Sequence, residues 1–160
     1  MESYTELNNV LNDLILTNTD RVRELKNRMH LLGNNSGLAP LFNQFIKESE
    51  EFKEQLMGEV TKKGGTVLSK GTGNSGGIYH SWKELKNWLL LKKDLSILEK
   101  LQFDTKVAFK IYKEALFAIK NIPADTLDLI ATQKARLRVA CRKIETELLL
   151  NNSSAANFFS

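Results

Sequence analysis

Residues 3–32 read SYTELNNVLNDLILTNTDRVRELKNRMHLL. Apolar side chains recur at Leu7, Val10 or Leu11, Leu14, Val22, Leu25 and Met29, the three-and-four spacing of a helix with one buried face. Ser3 followed three residues later by Glu6 is a capping-box pattern, and Gly33-Asn34-Asn35 supplies a stop. The stretch therefore predicts one long helix from Ser3 to Leu32. Its single apolar stripe has to be covered by other elements of the same kind.

The rest of the chain supplies them. Ala39-Pro40 opens a second helix to about Lys63, since proline suits a first turn, with Phe42, Phe45, Phe52, Leu56 and Val60 on its buried side. Gly64 to Gly77 reads as a loop. A short helix from Ile78 to Leu91 carries Trp82, Leu85, Trp88 and Leu89 at helical spacing and is expected to lie across the bundle as a lid. The third long helix runs from near Asp94 to before Pro123, with Leu98, Leu101, Phe109, Tyr112, Leu116 and Ile119 inward. After Pro123, Asp125 caps a fourth that presents Leu127, Ile130, Leu137, Cys141, Ile144 and Leu148. The expectation is an all-α, up-down four-helix bundle with a short extra helix between the second and third long helices. Residues 1–150 form its one domain and 151–160 a flexible tail.

Composition narrows the function classes. With 160 residues, 42% apolar and 26% charged, the chain has globular values and enough length for one independent core. The start Met1-Glu2-Ser3-Tyr4 has no basic region followed by an apolar run, and no stretch approaches a membrane span, so a cytoplasmic location without membrane partners is expected. Cys141 is the only cysteine, which excludes an intrachain disulfide or a cysteine metal cage. Much of the net charge of +4 comes from Lys134, Arg136, Arg138, Arg142 and Lys143, but Glu145 and Glu147 follow and no aromatics interleave. That pattern argues for a solvated helix face over a nucleic-acid surface.

The candidate chemistry lies where the stripes break. Each long stripe is interrupted by polar or small residues: Asn18, Ser49, Gln102 with Thr105, and Gln133. In an up-down bundle of similar helix lengths these come near one level of the core. Either the level fixes helix register, or the interruptions are unrelated, or it marks a former site. Neither His30 nor His80 has a Glu three residues before it, the Glu-x-x-His ligand spacing, and the run Glu48, Glu50, Glu51 and Glu54 reads first as a solvated face, with Glu48 the residue best placed to turn inward. Gly71-Thr72-Gly73-Asn74-Ser75-Gly76 matches GxGxxG as a string, but a helix precedes it where the dinucleotide fingerprint needs a strand. No nucleophile-and-base arrangement can be assembled.

Leu11-Asn12-Asp13-Leu14, Glu48-x-x-x-Phe52, Glu59 leading to Gly64-Gly65, the helix Ile78-Tyr79-His80-Ser81-Trp82-Lys83-Glu84-Leu85-Lys86, and Tyr112-Lys113-Glu114-Ala115-Leu116 together carry a resemblance over roughly Leu7 to Ile144. The chain resembles a bacterial group of ferritin-like four-helix-bundle proteins of unknown function, distant relatives of rubrerythrin and bacterioferritin. The resemblance implies a ferritin-like layout, with iron or manganese at the central level in metal-bearing relatives and a stress-related or oxidase role. Several positions depart from the family pattern. Tyr79 stands where the family has a histidine three residues before the tryptophan, Gln102 and Thr105 where it has two acids, and Cys141 where it has a second histidine. Gln133 matches a glutamine, and Glu48 alone matches an acidic position.

These departures set the functional expectation. Amides and hydroxyls are poor ligands for iron, which needs carboxylate charge and imidazole. The chain is expected to be non-enzymatic, without cofactor or working dinuclear metal site, acting through its surface on an unknown protein partner or on itself. The alternative is an iron- or manganese-binding protein of the same fold.

Overall fold

A computed structural model of the chain describes residues 4–68, 76–92 and 94–159, without the side chains of residues 34–36, 90 and 152–159. Among the described residues there is no strand. The helices are α1 Thr5–Met29, α2 Ala39–Lys62, α3 Gly77–Leu90, α4 Ile97–Ala118 and α5 Ala124–Phe159, with a 3-10 helix Gly33–Leu38 between the first two. Ser3 of the expected capping box lies outside the described residues, and the cap position of α1 is held by Tyr4 without a side-chain bond. Gly33 turns the chain with a φ of 47°, a left-handed value that a side chain resists. Helix α4 starts later than Asp94 because Ser96 and Glu99 form a reciprocal capping box there. Helix α5 continues to Phe159 where a separate tail was expected; no glycine or proline follows Pro123 to stop it.

Helix α1 packs on α2 and α4, and α5 packs on α4 and α2, so the four long helices close a ring, with α3 laid against α1 and α4. Cross-helix bonds fix the level of each neighbour. Asn8 at the start of α1 donates to the Lys63 carbonyl at the end of α2, Thr126 at the start of α5 donates to Glu59 near that same end, and Lys143 donates to Gln44. Two apolar clusters fill the ring. One holds Leu11, Leu14, Phe52, Leu56, Ile111, Ile130 and Leu137, with Trp82 of α3; the other holds Leu25, Phe42, Phe45, Leu98, Leu101 and Ile144. Fully burying such side chains stabilises by roughly 1.5–3 kcal/mol each. What separates the two clusters is polar.

The buried arc of α4 is rotated from the expected one. Leu101, Thr105, Ala108 and Tyr112 are buried with Asp104 and Ile111, while Gln102, Phe109 and Leu116 lie seven residues apart on one flank and are half-exposed. Large apolar side chains at 109 and 116 pull a stripe reading toward that flank; the small Ala108 and Ala115, which are buried, carry less hydrophobic weight. On α5, Leu127 is exposed and Cys141 half-buried for a similar reason, the arc centring on Ile130, Gln133, Leu137, Ala140 and Ile144.

Candidate functional site

The boundary between the two clusters is crossed by one hydrogen-bonded relay that touches all four long helices. Asn18 of α1 donates from Nδ2 to the Tyr112 phenol of α4 at 2.9 Å, and Tyr112 donates to Gln133 Oε1 of α5 at 2.6 Å. Gln133 Nε2 then donates to the Phe52 carbonyl and to Gln55 Oε1 of α2, at 3.2 and 3.0 Å. Asn18 is also anchored to the Leu14 carbonyl. Burial pushes the Tyr112 phenol well above its ordinary value, against the opposing effects of the Asn18 bond and the Arg21 charge. It stays a neutral donor, as the relay requires.

One turn along α1 the relay gives way to charge. Arg21 is fully buried, and its guanidinium reaches three ways: Nε to Asp104 Oδ2 at 3.2 Å, Nη1 to Ser49 Oγ at 2.8 Å and Nη2 to Thr105 Oγ1 at 3.0 Å. Thr105 in turn donates a hydrogen bond from its hydroxyl to the Leu101 carbonyl. The other oxygen of Asp104 takes Lys86 of α3, which also pairs with Glu24 Oε2 at 2.7 Å. Burial alone would raise Asp104, but the charges of Lys86, Arg21 and Arg28 outweigh it and hold the carboxyl below the usual range. Glu24 is raised, by burial first and then by the Asp104 charge. The cluster joins two cations, Arg21 and Lys86, to two carboxylates, Asp104 and Glu24.

Each residue singled out from the sequence now has a place. Asn18, Ser49, Thr105 and Gln133 are buried at this level and joined through Tyr112 or Arg21; Gln102 is not among them and lines a surface hollow beside Leu95 and Glu99. Glu48 is buried, with Oε2 at 3.5 Å from Arg136 and Oε1 without a hydrogen-bond partner among the described residues. Burial raises its carboxyl despite the neighbouring Arg21 and Arg136 charges. Tyr79 donates its phenol proton to Asp20 at 2.7 Å, away from the centre; burial first, then that bond, pushes the phenol up to about 12. Burial raises the Cys141 thiol too. His30 and His80 are exposed.

This donor set does not fit a dinuclear iron or manganese centre. Among the described residues no three of His, Cys, Asp and Glu come together as a metal cluster would require. The carboxylates at this level already face protein cations: Asp104 meets Arg21 and Lys86, Glu24 meets Lys86, and Glu48 meets Arg136. A divalent ion here would sit beside a guanidinium that cannot lose its proton.

A second set of polar contacts positions α3. Asn12 clasps the connection after α2 from both sides, donating to the Thr66 carbonyl at 2.9 Å and accepting from the Leu68 N–H at 2.9 Å. Asp13 accepts from the N–H groups of Gly76 and Tyr79 at 3.2 and 3.3 Å, so a side chain of α1 caps α3. A Cβ on Gly76 would come within 2.5 Å of that carboxylate, so any other residue here would displace Asp13 from its capping position. Gly76 closes the GxGxxG string; residues 71–75 lie outside the described residues.

Arg21, Asp104, Lys86 and Glu24 escaped the sequence reading. Their signal was nevertheless present: Leu14, Asn18, Arg21 and Leu25 keep helical spacing, so an arginine stands in the stripe itself. No helix among the described residues is long and apolar enough to cross a membrane. Compared with protein-family models, with curated proteins and with solved structures, the chain matches none.

Proposed function

We propose that the chain is a ferritin-like bundle whose central level is closed by protein charge in place of metal, and that it acts without catalysis through its surface. The carrying observation is Arg21, a fully buried cation that engages Ser49, Asp104 and Thr105 on two neighbouring helices. The layout is supported by the cross-helix pairs. Asn8 with Lys63, Asn18 with Tyr112 followed by Arg21 with Asp104, and Glu59 with Thr126 are the pairings of antiparallel neighbours, an arrangement in which α2 and α4 are diagonal, parallel and joined by one crossover. One crossover is the ferritin-like connection.

A cation in that place supplies what a metal supplies structurally, a positive centre that ties together helices carrying polar groups, but it offers no open coordination position and no redox change. The basic residues of α5 support the same reading. Arg136 meets Glu51 and Glu48, and Lys143 meets Gln44, so part of the positive charge is spent on α2 instead of facing a phosphate backbone. Elemental analysis of protein purified without chelator tests the proposal. Iron, manganese and zinc are expected far below one ion per chain, and a stoichiometric ion would overturn it in favour of the metal-binding alternative.

A further inference from the structure

The end of the bundle where α1 stops and α2 and α4 start carries hydrocarbon that nothing described in the chain covers. Leu31 is 75% exposed, Leu91 78%, Leu149 66% and Leu150 57%. Two hollows open at the same end. The larger, about 820 Å³, has Leu38, Leu95, Ile97 and Leu148 in its walls; the smaller, about 260 Å³, reaches Trp88 and Phe103. Both are bordered by Leu95, Glu99 and Gln102, so they adjoin across the first turns of α4 as a divided groove between α5 and Trp88.

Helix α5 passes this end without stopping. Leu148 is packed against the cluster of Leu25, Phe42 and Ile144, and residues 149–159 continue as helix, a further ~16 Å at 1.5 Å per residue. From Leu148 onward the sequence is LLLNNSSAANFFS, without one charged residue, in a chain where 26% are charged. A helix standing in water is ordinarily kept soluble by charge on its outer face. An uncharged one that begins with two exposed leucines has the composition of a covered helix.

We propose that a second copy covers it: the projecting part of α5 from each chain lies in the groove of the other, giving a two-fold dimer. Leu148 and Asn151, at the root of the segment, also line the groove, so an axis passing near them satisfies both segments at once and closes the assembly. A foreign helix would fill the groove and leave the segment bare. Two copies of net charge +4 repel, but the inserted segment is uncharged, so Lys92, Glu99 and Lys106 along the groove meet no like charge from it.

The inference deepens the surface-acting reading and rests on it; metal content tests that reading, and molecular mass tests this one. Sedimentation equilibrium of the full chain, from micromolar to near-millimolar concentration, should give twice the single-chain 18.2 kDa. The double variant Leu149→Glu, Leu150→Glu should return the single-chain mass with an unchanged helical spectrum, and Leu95→Glu should do so from the groove side. Phe117→Glu, at the far end of α4, should leave the dimer intact. A wild-type chain that stays monomeric, a dimer that survives the double leucine variant, or an assembly that keeps growing with concentration would overturn the proposal. If Leu95→Glu fails to fold, the leucine variant decides alone, because both its side chains are exposed.

Discussion

The middle of this bundle buries charge and its upper end exposes hydrocarbon, two departures from the ordinary distribution in opposite senses. In the middle, every charged group of the Arg21, Lys86, Asp104 and Glu24 cluster meets an opposite charge, and α1, α2, α3 and α4 are tied at one point. At the end, Leu31, Leu91, Leu149 and Leu150 meet no such match within the chain. Arrangements satisfied internally hold a structure together; arrangements left open are where a structure meets something else. The difference places the fold's constraint at the centre and the proposed pairing of chains at the rim.

The hardest blow to this contrast is struck at Arg21. Arg21→Ala should lower stability by about 3–5 kcal/mol in denaturant melts, because Asp104 then keeps a buried charge with one partner gone and Ser49 loses its donor. A loss below about 1 kcal/mol would mean that the centre is not the fold's fixed point. Replacing the cluster together, Arg21→Met with Lys86→Met, Asp104→Leu and Glu24→Leu, sharpens the comparison. It should recover most of that loss, since apolar side chains of similar volume often match a buried ion network.

Next in size is the relay. Tyr112→Phe removes one oxygen and leaves Asn18 without its cross-helix acceptor and Gln133 Oε1 without its donor, at a cost of about 1–3 kcal/mol. Restoration by the further change Gln133→Met would show that the cost lies in the unpaired amide; no restoration would locate it in the packing against Phe52.

The pH profile follows from opposed shifts. Asp104 is held low, so its contribution is complete above about pH 4 and is lost as pH falls through its folded value below that. Glu24, Glu48 and Asp13 are raised by burial, so the folded chain takes up protons more readily than the unfolded one, and moderate acidification relieves a penalty. Stability should rise as pH falls from neutrality through the raised folded values of these three carboxyls, and drop once Asp104 begins to protonate below about pH 4. Glu48→Gln should flatten the rise; a monotonic loss from neutral pH would contradict the assignment of Glu48. The smallest effect belongs to the rim, where Leu149→Glu should change the stability of the single chain, melted at a concentration too low for pairing, by no more than about 0.5 kcal/mol.

Much of this fold could be read from periodicity. Pro40, Pro123 and the glycine run bounded the helices, and Asn18, Ser49, Thr105 and Gln133 announced a polar level because each broke an apolar stripe. Arg21 and Asp104 did not, since long charged side chains are read as surface by default and only packing reveals that one cation and one carboxylate face each other across two helices. Gln102 misled for a geometric reason: it sits three residues before Thr105, which suggests a shared face, but the buried arc of α4 runs along Leu101, Thr105, Ala108, Tyr112 and Ala115 and leaves Gln102 on its flank. The clasp of Asn12 and Asp13 on the connection to α3 pairs residues more than fifty positions apart, beyond any local pattern.

The account turns on whether the central level needs an ion. Thermal unfolding of the chelator-treated chain, with and without added iron(II) or manganese(II), tests this directly, because a ligand bound only by the folded state must raise the melting temperature with its concentration. Coincident melts are predicted, with Arg21 already filling the role. A melting temperature that climbs with metal would place an ion among these residues and contradict the account.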